Sequence, residues 1–189
     1  TKEDYIHASD LPDIDLYVDQ VTTYLSPRLS KTMRQPDDKL MTKTMINNYA
    51  KNHLLPPPEK KKYSKDHILV MIFIFYFKNF LSINDIQRLM TPMTEKYFHS
   101  NGDLSLSTVY ERLFSKEPEL VAHIAEDIRT TYNGDADIFQ DAPDEDQDYL
   151  ELFSFISMMS VDIYMRKQMI EKCIDRLLVD QEPGQGKSR

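Results

Sequence analysis

The chain is short of the residues that most site chemistry needs. Its one cysteine, Cys173, excludes an internal disulfide framework and any cysteine-based zinc site. It falls on an apolar helical stripe with no histidine beside it, so a buried structural thiol is expected. Four glycines, at 102, 134, 184 and 186, leave no glycine-rich loop between strand and helix to cradle phosphate. The five histidines, at 7, 53, 67, 99 and 123, show no HExxH or other paired spacing. His53 follows an expected helix end, where capping is the simpler role. The longest apolar run, Ile68 to Phe77, is far below the roughly 20 residues of a bilayer crossing. It is expected to form a helix buried on all sides, and no membrane contact is expected. No secretory leader pattern opens the chain, so the expected location is the cytoplasm. Neither catalysis nor a cofactor is expected.

A surplus of positive charge is also missing. The net charge of -8 disfavours nucleic acid, because affinity for DNA comes largely from neutralising phosphates. The distribution of charge reverses that expectation locally. Between Arg28 and His67, ten lysines and arginines face four acids, a surplus of +6 that leaves -14 for the rest. A basic patch on an acidic body can bind DNA while the body suppresses loose binding.

What is present centres on Met41 to Tyr63, MTKTMINNYAKNHLLPPPEKKKY. Thr42 is a good N-cap, and Ile46, Tyr49 and Ala50 recur at the spacing of one buried helical face. The other face carries Lys43, Thr44, Asn47, Asn48 and Lys51. Amides, a hydroxyl and cations suit a solvated surface, and they also read base edges and phosphates in a major groove. Leu54 and Leu55 resume the apolar pattern, three prolines hold the chain extended, and Lys60, Lys61 and Lys62 follow as the tip of a small wing.

Thr42 to Tyr49 followed by Leu54, Leu55, Pro56 and Pro57 resembles the second helix and exit of regulators of the mercury-resistance type (MerR-type). There a Ser-Pro-x-Thr-Ile-Arg-Tyr-Tyr helix runs into a Leu-Leu-Pro-Pro wing. Tyr63-Ser64 and Leu81-Ser82-Ile83-Asn84-Asp85-Ile86 resemble later motifs of that family. From about Leu11 to Met90 the chain is more similar still to a bacterial family known only as domain of unknown function eighteen thirty-six. The resemblance implies a MerR-like winged helix-turn-helix, with no established activity. Asn47 and Asn48 stand where the MerR-type helix has Arg and Tyr, so the base contacts of that family do not transfer residue by residue.

Along the chain, residues 1–12 are expected to form a loose arm. Asp13 and Asp15 should open a helix whose stripe is Ile14, Tyr17, Val18, Val21, Tyr24 and Leu25, ending near Pro27. Residues 26–39 read as a long surface loop, with Arg28, Lys31 and Arg34 as incidental phosphate contacts. Ser64 should cap a helix to about Phe80. Ser82 and Asp85 should open a short helix, Ile83 to Met90, with Ile83, Ile86 and Leu89 inward and Pro92 closing the unit. Thr108 and Glu111 suggest a capping box for a helix through Phe114, and Ser115 and Pro118 restart another. Residues 134–148 hold seven acids and no base. A calcium loop would need its central glycine and terminal glutamate in register, and neither is present, so a solvated linker is expected. Tyr149 to about Val179 reads as the longest helix. Its first half is apolar on nearly every side and needs a partner, either the Leu120 helix or a dimer seam. Met158 and Met159 are expected to fill core, with a ligand pocket as the rival role.

The expected fold class is all-α with at most a minimal β wing. Residues 13–91 form a winged helix-turn-helix, 92–180 a helical dimerisation or sensing region containing the acidic linker 134–148, and 181–189 a disordered tail. The expected function is a DNA-binding bacterial transcriptional regulator. Lys43, Thr44, Asn47, Asn48 and Lys51 would enter the major groove, and Lys60, Lys61 and Lys62 would hold phosphates. Double-stranded DNA, a second copy of the chain and a small-molecule effector of unknown chemistry are the partners this implies. The rival reading keeps the fold as a protein-interaction module without DNA binding.

Overall fold

The computed structural model describes residues 5–30, 41–135, 138–139 and 141–179. The chain divides into two compact units, Thr1–Ser115 and Lys116–Arg189. Both are helical, and the sole sheet among the described residues has two short strands.

In the first unit a 3-10 turn, Ala8–Asp10, leads to β1 (Leu16–Tyr17) and α1 (Val18–Leu29). The helix starts later than the acids suggest. Leu16 and Tyr17 instead pair antiparallel with Tyr63 and Lys62 of β2 (Lys62–Tyr63), which leaves Ile14 70% exposed. The Gln20 side chain accepts from the Tyr17 N–H and closes the first turn. Val21, Leu25 and Leu29 are the buried stripe, and the helix runs two residues past Pro27. The expected loop from 26 is thus helical through Leu29, and residues 31–39 of it lie outside the described residues.

After α2 (Lys43–Lys51) and β2 comes α3 (Lys65–Phe77), on which the unit is built. Every residue from His67 to Phe75 is buried, as a helix apolar on all sides demands. It is covered by β2 and by α5 (Leu106–Phe114), whose Tyr110 and Phe114 rings lie 5.6 and 5.9 Å from Phe73. Between them, α4 spans Ile83–Tyr97 with Pro92 inside rather than beyond its end. The Ser82 hydroxyl accepts from the Asp85 N–H at 3.1 Å, as a capping residue should. Thr91 and Thr94 hydroxyls donate to the Gln87 and Met90 carbonyls around the proline. Ile86 and Met90 point inward, whereas Ile83 is 56% exposed.

Residues 5–12 are no loose arm. Tyr5, Ile6, Ala8 and Leu11 are buried, and Tyr110 Oη donates to the Ile6 carbonyl at 2.7 Å. The Glu111 carboxylate accepts from the Ala8 N–H, so Glu111 straps this segment instead of completing a capping box; the α5 cap is Ser105, which accepts from the Thr108 N–H at 3.2 Å. The unit therefore closes only after α5, at Ser115, beyond the boundary expected at 91.

The second unit pairs α6 (Glu117–Asp135) with α7 (Asp144–Val179). Part of the expected acidic linker, Asp144 to Asp148, forms the start of α7, where negative charge meets the positive helix end. Tyr132 meets Phe155 edge-on at 5.3 Å between the two helices. Cys173 is exposed, contrary to expectation, because the inward position is its neighbour Ile174. The expected disordered tail lies outside the described residues. Among those described, no helix is long and apolar enough to cross a membrane.

Tyr110→Phe should cost the first unit about 1–2 kcal/mol, because the Ile6 carbonyl loses its buried donor. Urea denaturation should show a lower midpoint at unchanged slope.

Candidate nucleic-acid interface

The α2 helix displays its polar face as its periodicity requires. Thr42 Oγ1 accepts from the Met45 N–H at 3.2 Å and fixes the start. Ile46 and Tyr49 are buried, and Lys43, Thr44, Asn47, Asn48 and Lys51 are all exposed. Burial lifts the Tyr49 hydroxyl above its ordinary pKa. The helix ends in a Schellman motif. His53 takes a left-handed backbone (φ 58°) while its N–H donates to the Ala50 carbonyl, and the Leu54 N–H donates to the Tyr49 carbonyl at 2.9 Å. This turns Leu54 and Leu55 into the core and sends the prolines out along the surface.

The wing is a tight turn. The Lys62 N–H donates to the Glu59 carbonyl at 2.8 Å, and the two central residues, Lys60 and Lys61, have φ of 48° and 65°. Positive φ at both centres is the type I′ pattern, where Asn-Gly is the low-energy choice. Lysines there cost about 1–2 kcal/mol each in backbone conformation. Lys60 and Lys61 are exposed at the tip, while Lys62 is half-buried with its ammonium 5.2 Å from the Tyr17 ring centre. That ring is its cross-strand neighbour. Because α1 packs against both α2 and β2, the helix face and the wing share one support.

A buried histidine fastens the wing to the core. His67 is 1% exposed, and its Nδ1 accepts from the Ser64 N–H at 3.0 Å, which leaves the ring proton on Nε2, 3.3 Å from the Pro57 carbonyl. Ser64 Oγ lies 2.8 Å from His67 Nδ1 and 2.9 Å from His99 Nε2, and the His99 N–H donates to Asp66 at 2.7 Å. Desolvation holds the His67 pKa below the usual imidazole value. The Pro57 hydrogen bond opposes that shift, His99 adds to it, and Asp66 and Asp15 oppose it. Ser64 and His67 stand three apart in a capping box, with histidine in the place usually held by Glu or Gln. That Ser-to-His spacing is the sequence signal for the fastening, and a pattern of paired histidines does not capture it.

The eight expected contact residues thus fall into two groups, five on α2 and three at the wing. Lys43 Nζ sits 3.2 Å from the Asp19 carboxylate, both exposed, a link worth at most about 1 kcal/mol that a phosphate could displace. Arg28 lies over the Tyr24 ring at 3.8 Å and donates to the Tyr24 carbonyl, and Lys31 and Arg34 lie outside the described residues. Among the described residues, no group of three or more His, Cys, Asp or Glu is placed to hold a metal ion.

A family model matches residues 6–113, more than half of the chain. The chain belongs to the family described as domain of unknown function (DUF1836). The matched DUF1836 segment ends two residues before the first compact unit does, so among the described residues it takes in both strands, α1 to α4, α5 but for Phe114 and the strap but for Tyr5. Neither a curated protein nor a solved structure matches the chain.

Two outcomes are expected of the DUF1836 unit. Because the folded His67 pKa lies below the unfolded value near 6.5, its contribution to stability is complete above that pH and is lost as pH falls below it. Urea midpoints at pH 7.5 and 5.5 should differ, and the difference should shrink in His67→Gln. Replacing Lys60 by Asn together with Lys61 by Gly should raise stability by about 1 kcal/mol, measured the same way, after the entropic cost of glycine is deducted.

Proposed function

We propose that the first unit binds double-stranded DNA and acts in transcriptional regulation as a MerR-like winged helix-turn-helix, with no catalytic step. The α2 face enters the major groove, where Asn47 and Asn48 offer paired amide donors and acceptors to base edges and Lys43, Thr44 and Lys51 meet the groove wall. Lys60, Lys61 and Lys62 hold the flanking backbone. The observation that carries this reading is the outward display of all five polar α2 residues over a buried Ile46 and Tyr49. The wing supports it, since lysines occupy two backbone positions that favour Asn and Gly. Residues held against local preference are those for which function supplies the reason.

One observation favours the rival, a protein-interaction module on the same surface. Lys43 already faces Asp19, and the chain as a whole carries -8. Gel-shift titration against pooled bacterial genomic fragments separates the two readings. DNA binding should weaken steeply with salt, and replacing Lys60, Lys61 and Lys62 by Ala should flatten the log-log slope by roughly one per lost phosphate contact. Asn47→Ala should reduce discrimination between sequences by about 1–3 kcal/mol with the slope unchanged. Absent or salt-insensitive binding sinks the regulator and leaves the interaction module.

A further inference from the structure

The α6–α7 hairpin leaves most of its apolar surface uncovered. Among the described residues of this unit Ile174 alone is buried. On α6, Leu120, Ile124, Ile128 and Tyr132 recur at every fourth residue, and all are more than a third exposed. On α7, Tyr149, Phe153, Ile156 and Ile163 follow one helical stripe, each more than half exposed. Between the two helices opens a cavity of about 550 Å³, walled by Ile124, Ile128, Met158, Met159 and Ile163. Methionine walls adapt to an incoming side chain. Arg166 is the one base lining that cavity, and Asp162 at 2.9 Å and Asp127 at 3.8 Å already hold it.

We propose that this groove takes a cationic, amphipathic helix of a partner protein, which lies between α6 and α7 and completes a three-helix bundle. Charge selects that occupant. Residues 117–162 carry thirteen acids and one base, Arg129, a balance of -12. The helix dipole favours Asp144 to Asp146 in the first turn of α7, but it has faded by Asp148 and Glu151. On α6, the side chains of Glu119, Glu126 and Asp127 are at least 70% exposed. A second copy of the chain brings the same charge to the same face, and nucleic acid and anionic lipid are repelled by it. A helix with lysines and arginines beside an apolar stripe answers both features: its stripe fills the groove and its flanks meet the carboxylates.

The dimensions agree. At 1.5 Å per residue, Leu120 to Tyr132 and Tyr149 to Ile163 give apolar walls about 18 and 21 Å long. A partner helix of about 14 residues spans them, with anchors at the i, i+3 or i+4, and i+7 positions of its stripe. This inference does not rest on DNA binding and is tested without DNA.

Fluorescence anisotropy of three labelled model peptides, each titrated with the whole chain, tests the proposal. An amphipathic helix of leucine and lysine, about 14 residues long, should bind with a micromolar dissociation constant that rises with salt. The same pattern built from leucine and glutamate, and a scrambled leucine-lysine peptide with no apolar stripe, should each bind at least about 10-fold more weakly. Ile163→Ser should weaken the leucine-lysine peptide about 10-fold through the lost apolar contact. Asp148→Asn with Glu151→Gln should weaken it by about 5-fold at low salt. Far-UV circular dichroism should be unchanged in both variants. Equal binding of the leucine-glutamate or scrambled peptide, or no binding of the leucine-lysine peptide, overturns the proposal. So does binding that Ile163→Ser leaves intact, which places the peptide outside the groove. A chain that sediments as a dimer at micromolar concentration and excludes the peptide overturns it as well, and gives the groove to a second copy.

Discussion

A helix that is apolar on every side must be covered on every side, and most of the first unit follows from that requirement at α3. Nine consecutive residues, His67 to Phe75, are withdrawn from water. An amphipathic helix can rest on one neighbour, but this one needs β2 and α5 together. The strap of residues 5–11 is drawn in by the same demand, because Tyr5 stacks on Phe114, which in turn packs on Phe73. The α2 helix, which packs on α1, buries Ile46 and Tyr49 and keeps a polar outer face.

Polar groups are fitted into this core sparingly and with their bonds completed. His67 is the single buried polar side chain among the described residues, and both of its nitrogens have partners. A buried imidazole costs little when neutral and hydrogen-bonded, and much more when charged. It therefore serves as a pin between the proline run and the start of α3. The wing can then carry lysines in left-handed positions, because its base is held by the strand pairing of Tyr63 with Leu16 and by this histidine.

The sequence disclosed what is local and periodic. The α2 helix, its Thr42 cap, the greasy α3 and the Ser82 cap were all readable, because each depends on residues within one or two turns. The long-range pairings were not. Ile14 fits the apolar stripe of an α1 begun at Asp13, yet Leu16 and Tyr17 leave helical geometry to pair with a strand some 46 residues away, and no local pattern announces that. Glu111 matched a capping box by spacing, but its carboxylate went to Ala8 across the unit. Pro92 read as a stop, and the helix absorbed it. Of the candidate interface, the eight side chains were legible from polarity and spacing, whereas the turn geometry at Lys60 and Lys61 and the histidine fastening needed coordinates. Cys173 was misplaced by a single helical position beside Ile174, a shift of about 100° around α7.

The strap has a temporal consequence. Tyr110 grips the carbonyl of Ile6 across 104 residues, so the earliest described segment of the unit cannot settle until the last helix of that unit has been made. During synthesis at about 5–20 residues per second, α3 would emerge well before α5 and spend several seconds without its lid. A ribosome-bound chain paused between the two would present its greasiest helix uncovered, a natural target for chaperones that hold nascent polypeptides.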